Sequence, residues 1–125
     1  MKQKEFKMDE MTFKARTKKL AVEIIKQVDK LPRSHSTDVI GKQLLRSGTS
    51  IGANYRAACR AKSTADMINK MKIVEEESDE TGYWLELLVE AEIIPQNQIA
   101  IIYKETDEIL AMTVASIKTL RNRKS

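Results

Sequence analysis

The sequence predicts an all-α fold, an antiparallel up-down-up-down four-helix bundle, and three observations lead to this prediction. Leu, Ile, Ala, Lys and Glu are abundant, whereas only four glycines and two prolines occur in 125 residues, which favours long helices over short strands. In four stretches, apolar and small residues recur at alternating steps of three and four, the spacing of one helix face. Short breaks separate the stretches, and brief connections favour antiparallel neighbours.

The first two helices are predicted on either side of Pro32, which ends helix one because proline cannot continue a helix. Ser36 or Thr37 is predicted to cap helix two, and His35 is predicted to lie in the turn before it. The inner face of helix one consists of Phe13, Thr17, Leu20, Ile24, Val28 and Leu31. The inner face of helix two consists of Ile40, Leu44, Ser47, Ile51, Tyr55 and Ala58.

The last two helices follow a break near Lys62. Ser63 and Asp66 resemble a capping box at the start of helix three, and Pro95 breaks the chain before helix four, with Asn97 as the expected cap. The inner face of helix three consists of Met67, Met71, Val74, Ser78, Thr81, Leu85 and Leu88, a seam that is polar in its middle and predicts close helix packing. That of helix four consists of Ile99, Ile102, Thr106, Ile109, Thr113, Ile117 and Leu120.

Composition indicates one globular domain spanning residues 1–125, with frayed ends at about 1–8 and 121–125. Hydrophobic residues make up 42% of the chain and charged residues 32%, and a chain of this length can form a core without metal or disulfide. Cys59 is the single cysteine, so an internal disulfide is excluded and a reducing cytoplasm is expected. The sequence shows neither an apolar signal core nor a stretch as long as a membrane span.

Charge divides the chain into an acidic element and a basic remainder. Eight acids and no Lys or Arg occur between Val74 and Glu92, whereas the remainder holds 22 basic residues and ten acids. Such asymmetry indicates either a polyanionic partner or matched surfaces between subunits.

The outer face of helix two is basic at both ends and small in the middle. It consists of Lys42, Arg46, Thr49, Ala53, Arg56 and Arg60. Small residues allow another surface to approach closely, and arginines offer forked donors for phosphate or carboxylate. The sequence therefore predicts nucleic-acid contacts by Lys42, Arg46, Arg56 and Arg60, assisted by the tail residues Arg121, Arg123 and Lys124.

A second face of helix three carries large apolar side chains away from its core seam. The predicted oligomer interface comprises Ile73, Glu76, Glu80, Tyr83, Trp84 and Leu87 of helix three together with Thr49 and Ala53 of helix two. An outward Trp and Leu on a small domain indicate a buried contact. The alternative for Trp84 is a position on the flank of the helix, packed on its own bundle.

The sequence lacks the motifs of an enzyme or a metal protein. Di-metal bundles use Glu-x-x-His pairs, but His35 is the single histidine and no such pair occurs. Acids that follow one another in "EEESDE" point around a helix and do not converge on one ion. Phosphate-binding glycine loops, zinc-type Cys/His spacings and a nucleophile–base pair are also missing. We expect a non-enzymatic protein with no catalytic residues, no metal and no cofactor.

Two strings carry a family resemblance that extends over nearly the whole chain. Arg46 with "S-I-x-A-N" at residues 50–54, followed by "S-D-E-x-x-Y-W-L-E-L-L" at residues 78–88, resembles the bacterial 23S rRNA intervening-sequence proteins. The accessory variability proteins of diversity-generating retroelements belong to the same broad group. The resemblance implies a homopentamer with a basic surface that binds nucleic acid, and in the retroelement members a reverse transcriptase partner.

Two hypotheses for function remain open from the sequence. The leading one is an oligomeric protein that binds the backbone of RNA, DNA or a hybrid with weak sequence preference, because base-reading motifs are missing. The other is a structural or protein-interaction assembly in which arginines of helix two meet acids of helix three on a neighbouring subunit.

Overall fold

The computed structural model describes the backbone of residues 2–124 and the side chains of residues 10–123. Four helices follow one another: α1 (Lys2–Asp29), α2 (His35–Cys59), α3 (Thr64–Glu90) and α4 (Gln96–Lys124). Each helix packs against its neighbours in the chain, and α1 also packs against α4, which closes the bundle. The all-α four-helix bundle is thus confirmed, while the fraying of the two ends stays a prediction.

The start of α2 differs from the sequence prediction. Ser34, not Ser36 or Thr37, caps the helix: its backbone is extended and its hydroxyl oxygen accepts the Thr37 N–H at 3.2 Å. His35 consequently begins the helix instead of lying in the turn. Thr37 is buried, and its hydroxyl oxygen accepts a hydrogen bond from the Ser34 hydroxyl at 2.7 Å.

The next two connections confirm one predicted cap and correct another. Ser63 caps α3 and accepts the Asp66 N–H at 3.0 Å, as the capping-box pattern predicts. Asn97 lies inside α4, which begins at Gln96, and the Pro95 carbonyl accepts the Gln98 N–H at 3.1 Å. Proline is compatible with a helix start because its fixed φ suits the first turn.

Glu92 ends α3 in a left-handed conformation, with φ of 59°. The N–H of Ile93 donates to Leu88 O at 3.0 Å and that of Glu92 to Val89 O at 2.9 Å. These are the two hydrogen bonds of a Schellman motif, in which the left-handed position normally holds glycine.

We expect Glu92→Gly to stabilise the fold by about 0.5 to 1 kcal/mol. The left-handed penalty of a non-glycine residue is about 1 to 2 kcal/mol, and the added freedom of the unfolded chain offsets part of the gain. Urea unfolding measures the difference. Glu76→Gly in the exposed middle of α3 is the control and should cost about 1 kcal/mol; a loss at both positions would contradict the prediction.

The core follows the predicted seams closely. Every predicted seam residue is buried except Val28, Ile40 and Met67, which are partly buried and pack against it. Ile68 takes the buried place next to Met67. Phe13 and Tyr55 meet edge-to-face with ring centroids 4.5 Å apart, which places the start of α1 beside the end of α2.

Seven serines and threonines are buried among the described side chains, and all of them except Thr37 donate to a carbonyl of their own helix. The donors are Thr17, Ser47, Ser78, Thr81, Thr106 and Thr113, and their donor–acceptor distances run from 2.7 to 3.3 Å. One further contact crosses between helices, from Thr81 Oγ1 to Ser47 Oγ at 3.0 Å. The polar middle of the α3 seam is therefore satisfied almost entirely within single helices.

Glycines bring α1 and α2 together. A Cβ placed on Gly48 would lie 2.5 Å from Ile24 Cδ1 and 3.0 Å from its Cγ2, and one on Gly52 would lie 3.1 Å from Thr17 Oγ1. Gly48 and Gly52 therefore serve the packing of α2 against α1 within the chain's own bundle.

Candidate nucleic-acid interface

The outer face of α2 presents three exposed cations that form no ion pair among the described side chains. Lys42, Arg56 and Arg60 all lie on the side opposite Leu44 and Ile51, which anchor the helix in the core. An unpaired guanidinium has its full set of donors available for phosphate oxygens. The structure therefore leaves three of the four predicted α2 contacts free for a ligand.

Arg46, the fourth predicted cation, is paired within its own chain. Its guanidinium donates to both carboxylate oxygens of Glu77 at 3.2 and 3.3 Å, forms an ion pair with Glu80, and donates to Gln43 Oε1 at 3.2 Å. Glu77 and Glu80 lie on α3, so Arg46 joins the two central helices. A residue held in this way has fewer donors for a ligand or for a neighbouring subunit.

The tail residues differ in what the structure describes. Arg121 and Arg123 are exposed on the last turns of α4, and each already has an interaction partner. The side chain of Lys124 lies outside the described residues. The assisting role of these three residues stays a prediction.

The predicted oligomer interface divides between exposed and partly buried residues. Tyr83 is 53% exposed and meets Trp84 edge-to-face, with ring centroids 5.2 Å apart. Trp84 is partly buried against the core, so it lies on the flank of its helix, as the alternative from the sequence expected. Its indole nitrogen is buried without a hydrogen-bond partner among the described residues.

The other interface candidates lie around this aromatic pair or on the adjoining part of α2. Glu76 and Ala53 are exposed, whereas Thr49, Ile73, Glu80 and Leu87 are partly covered by the bundle. The Thr49 hydroxyl donates to Leu45 O at 2.8 Å, within its own helix. The prediction that a second subunit covers this surface stays a prediction.

Cys59 and Tyr103 lie in environments that raise the pKa of each side chain. Burial raises the pKa of the Cys59 thiol to about 11, so little reactive thiolate forms near neutral pH. The Tyr103 hydroxyl donates to Glu86 at 2.7 Å, and this hydrogen bond raises its pKa to about 12. Among the described side chains, no three acidic, His or Cys groups gather as metal ligands would, and no described helix is both long and apolar enough for a membrane span.

A model of a known protein family matches most of this chain. The family model described as "23S rRNA-intervening sequence protein" matches residues 9–115. The chain belongs to that family. Lys42, Arg46, Arg56 and Arg60 fall within the matched region, whereas Arg121, Arg123 and Lys124 lie beyond it.

A solved structure from Bacteroides thetaiotaomicron shares the fold. It is a crystal structure of a protein with unknown function from the S23 ribosomal protein family, 41% identical to this chain, with a TM-score of 0.81 over 87% of this chain and 97% of that one. A search of curated proteins gave no significant match. Membership in the 23S rRNA-intervening sequence protein family and the four-helix bundle are therefore established together.

Three exposed cations of this family member, Lys62, Lys72 and Lys118, were not among the binding residues predicted from the sequence. They lie in the α2–α3 connection, near the start of α3 and near the end of α4. Residue spacing along one predicted helix shows which side chains share a face of that helix. It does not show that cations on separate helices lie at the same end of a bundle. A charge count by predicted helix end, after assuming an antiparallel bundle, would have found them.

Proposed function

We propose that this protein is a cytoplasmic, non-enzymatic nucleic-acid-binding protein that assembles as a homopentamer and contacts the backbone of RNA or DNA through its basic surface. The observation that carries the proposal is that Arg56 and Arg60, on the outer face of α2, are exposed and form no ion pair among the described side chains. Cations of this kind bind phosphate with strong salt dependence, because each contact releases counterions. The family description is compatible with association with RNA.

Assembly of several copies would raise the nucleic-acid affinity of a surface that has few cations in each subunit. Linked sites bind one long ligand with an effective concentration that raises affinity without new contacts. RNA, duplex DNA and a hybrid share the phosphate backbone, so the proposal concerns that chemistry and not one nucleic acid.

The first test is binding of the oligomer, with its mass verified, to labelled structured RNA, duplex DNA and an RNA–DNA hybrid across a salt series. We expect micromolar or tighter binding that weakens steeply as salt rises. Anisotropy gives the affinity, and light scattering gives the oligomeric state. Absence of binding to all three ligands at low salt would contradict the proposal.

A second candidate function is a structural assembly in which basic and acidic faces pair between subunits. The exposed Tyr83 and the exposed Val39 favour it, because apolar surface of this kind is commonly covered by a partner. The pairing of Arg46 with Glu77 and Glu80 of its own chain removes one of the proposed intersubunit contacts.

Arg56→Glu separates the two candidates. Loss of the oligomer would support assembly through Arg56, whereas an intact oligomer with weaker nucleic-acid binding would support the leading proposal. Lys42→Glu is the control for a charge reversal elsewhere on the same helix face.

A further inference from the structure

The fold gathers four separate chain segments at one end of the bundle. Phe13 against Tyr55 places the start of α1 beside the end of α2, and α3 begins four residues beyond Arg60. Tyr103, early in α4, bonds to Glu86, late in α3, so the end of α4 returns to the start of α3. We name this part, residues 10–19, 53–72 and 115–123, the basic end.

Charge separates along the bundle axis between the basic end and the rest. The basic end holds twelve basic and two acidic side chains, a formal charge of +10, whereas residues 20–52 and 73–114 hold six basic and fourteen acidic ones, a formal charge of −8. The twelve are Lys14, Arg16, Lys18, Lys19, Arg56, Arg60, Lys62, Lys70, Lys72, Lys118, Arg121 and Arg123; the two acids are Glu10 and Asp66.

Most cations of the basic end face solvent without an ionic partner. Arg16 pairs with Glu105 and Glu108, and Arg121 and Arg123 have interactions of their own. Seven others are exposed and form no ion pair among the described side chains: Lys18, Lys19, Arg56, Arg60, Lys62, Lys72 and Lys118. These seven come from all four helices or their connections.

Distance and screening make this end act as one surface. Neighbouring helices lie about 8 to 10 Å apart, which is about one screening length at physiological salt, so cations on adjacent helices reinforce one another. Lys42 lies fourteen residues before Arg56, about 21 Å along α2 at 1.5 Å per residue. At that distance it is screened from the basic end and belongs to the net acidic part.

We propose that the nucleic-acid backbone binds across the basic end through Arg56, Arg60, Lys62 and Lys118, and that Lys42 and Arg46 lie outside the contact. This inference rests on the proposed function and specifies which surface performs it. The predicted stripe along the outer face of α2 is thereby divided: its C-terminal half contacts phosphate, and its N-terminal half lies beside acids.

The test compares two full-length variants with the same change in net charge. Arg56→Gln/Arg60→Gln/Lys62→Gln removes three cations from the basic end, and Lys26→Gln/Lys30→Gln/Lys104→Gln removes three exposed cations of the acidic part that form no ion pair among the described side chains. Circular dichroism and light scattering check the fold and the mass of each. The probes are a labelled single-stranded RNA and a labelled DNA duplex of the same sequence, titrated at several salt concentrations.

We expect the basic-end variant to bind at least about thirtyfold more weakly and its salt slope to fall by about two to three, because each phosphate contact contributes about 0.7 to 0.9 to that slope. The control should stay within about threefold of the unaltered protein. If the basic-end variant changes its oligomeric mass, Lys62→Gln/Lys118→Gln takes its place, with an expected loss of about tenfold.

The outcomes separate the inference from the proposed function. Equal losses in both triple variants, or a larger loss in the control, would overturn the basic end as the contact while leaving nucleic-acid binding intact. Absence of binding by the unaltered protein at low salt would overturn the proposed function itself.

Discussion

Alanine at Gly48 should destabilise the bundle by about 1 to 2 kcal/mol, whereas alanine at Gly82 should stabilise it by about 0.5 to 1 kcal/mol. Both glycines lie inside helices, where alanine is intrinsically favoured over glycine. A Cβ on Gly48 would lie 2.5 Å from Ile24 Cδ1 and 3.0 Å from its Cγ2, in a side chain that is fully buried. A Cβ on Gly82 would meet Tyr103 Cε1 at 3.9 Å, an ordinary contact.

Urea unfolding of the two alanine variants measures this difference in sign. Ile24→Val provides a second check, because it removes the Cδ1 atom that crowds Gly48 most. Gly48→Ala combined with Ile24→Val should cost less than the two single changes added together, since the two sites are in contact. A stabilising Gly48→Ala, or strict additivity in the double variant, would show that α1 moves away from α2 at no cost.

Arg16→Met should cost about 2 kcal/mol at pH 7. Arg16 donates to the two carboxylate oxygens of Glu105 at 2.9 and 2.6 Å and to Glu108 at 2.9 Å. Its side chain is 28% exposed and that of Glu105 is 30% exposed, so solvent screens the pair in part. Hydrogen bonds to charged groups are each worth about 1.5 to 3 kcal/mol, and the loss leaves two carboxylates on neighbouring turns of α4.

The same contact predicts a dependence on pH. The hydrogen bond from Arg16 lowers the pKa of Glu105 in the folded protein. A depressed carboxyl pKa contributes stability above the unfolded value of about 4.3, and that contribution is lost as the pH falls through the folded pKa. The difference between Arg16→Met and the unaltered protein should therefore be full at pH 7 and shrink below about pH 4.

Unfolding free energies measured from pH 7 down to pH 3 would show this convergence. The matched control is Arg33→Met, because Arg33 is 90% exposed and approaches Asp38 at 3.5 Å. An exposed pair of this kind contributes about 0 to 1 kcal/mol. A loss at Arg16 no larger than the loss at Arg33, or one that persists undiminished at pH 3, would contradict the assigned role.

Local sequence patterns predicted the fold well because helix burial repeats every three to four residues. The seam from Leu20 to Ile24 in α1 and that from Leu85 to Leu88 in α3 are fully or almost fully buried. Cap positions were harder, since Ser34, Ser36 and Thr37 all carry a hydroxyl that can cap. Backbone conformation decides among them, and the extended φ and ψ of Ser34 select it.

Features that depend on how two helices are placed relative to each other were harder to predict from the sequence. The outer position of Arg46 was predicted, but its pairing with Glu77 and Glu80 depends on the relative register of α2 and α3. The flank position of Trp84 required knowledge of which neighbour covers it. The basic end is distributed over four segments of the chain, and no single stretch of sequence displays it.

The buried hydroxyls have a consequence for how the helices recognise one another. Thr106 and Thr113 bond to Ile102 O and Ile109 O of the same helix, so α4 satisfies its core hydroxyls whether or not α3 and α1 are in place. A hydroxyl satisfied in this way carries no information about alignment between helices. Steric fit does carry such information, because a misaligned α1 would place a different side chain against Gly48, where Ile24 now packs. The buried hydroxyls of α4 are therefore neutral to the choice of register, which depends on steric fit and on polar contacts between helices such as those of Arg16 and Arg46.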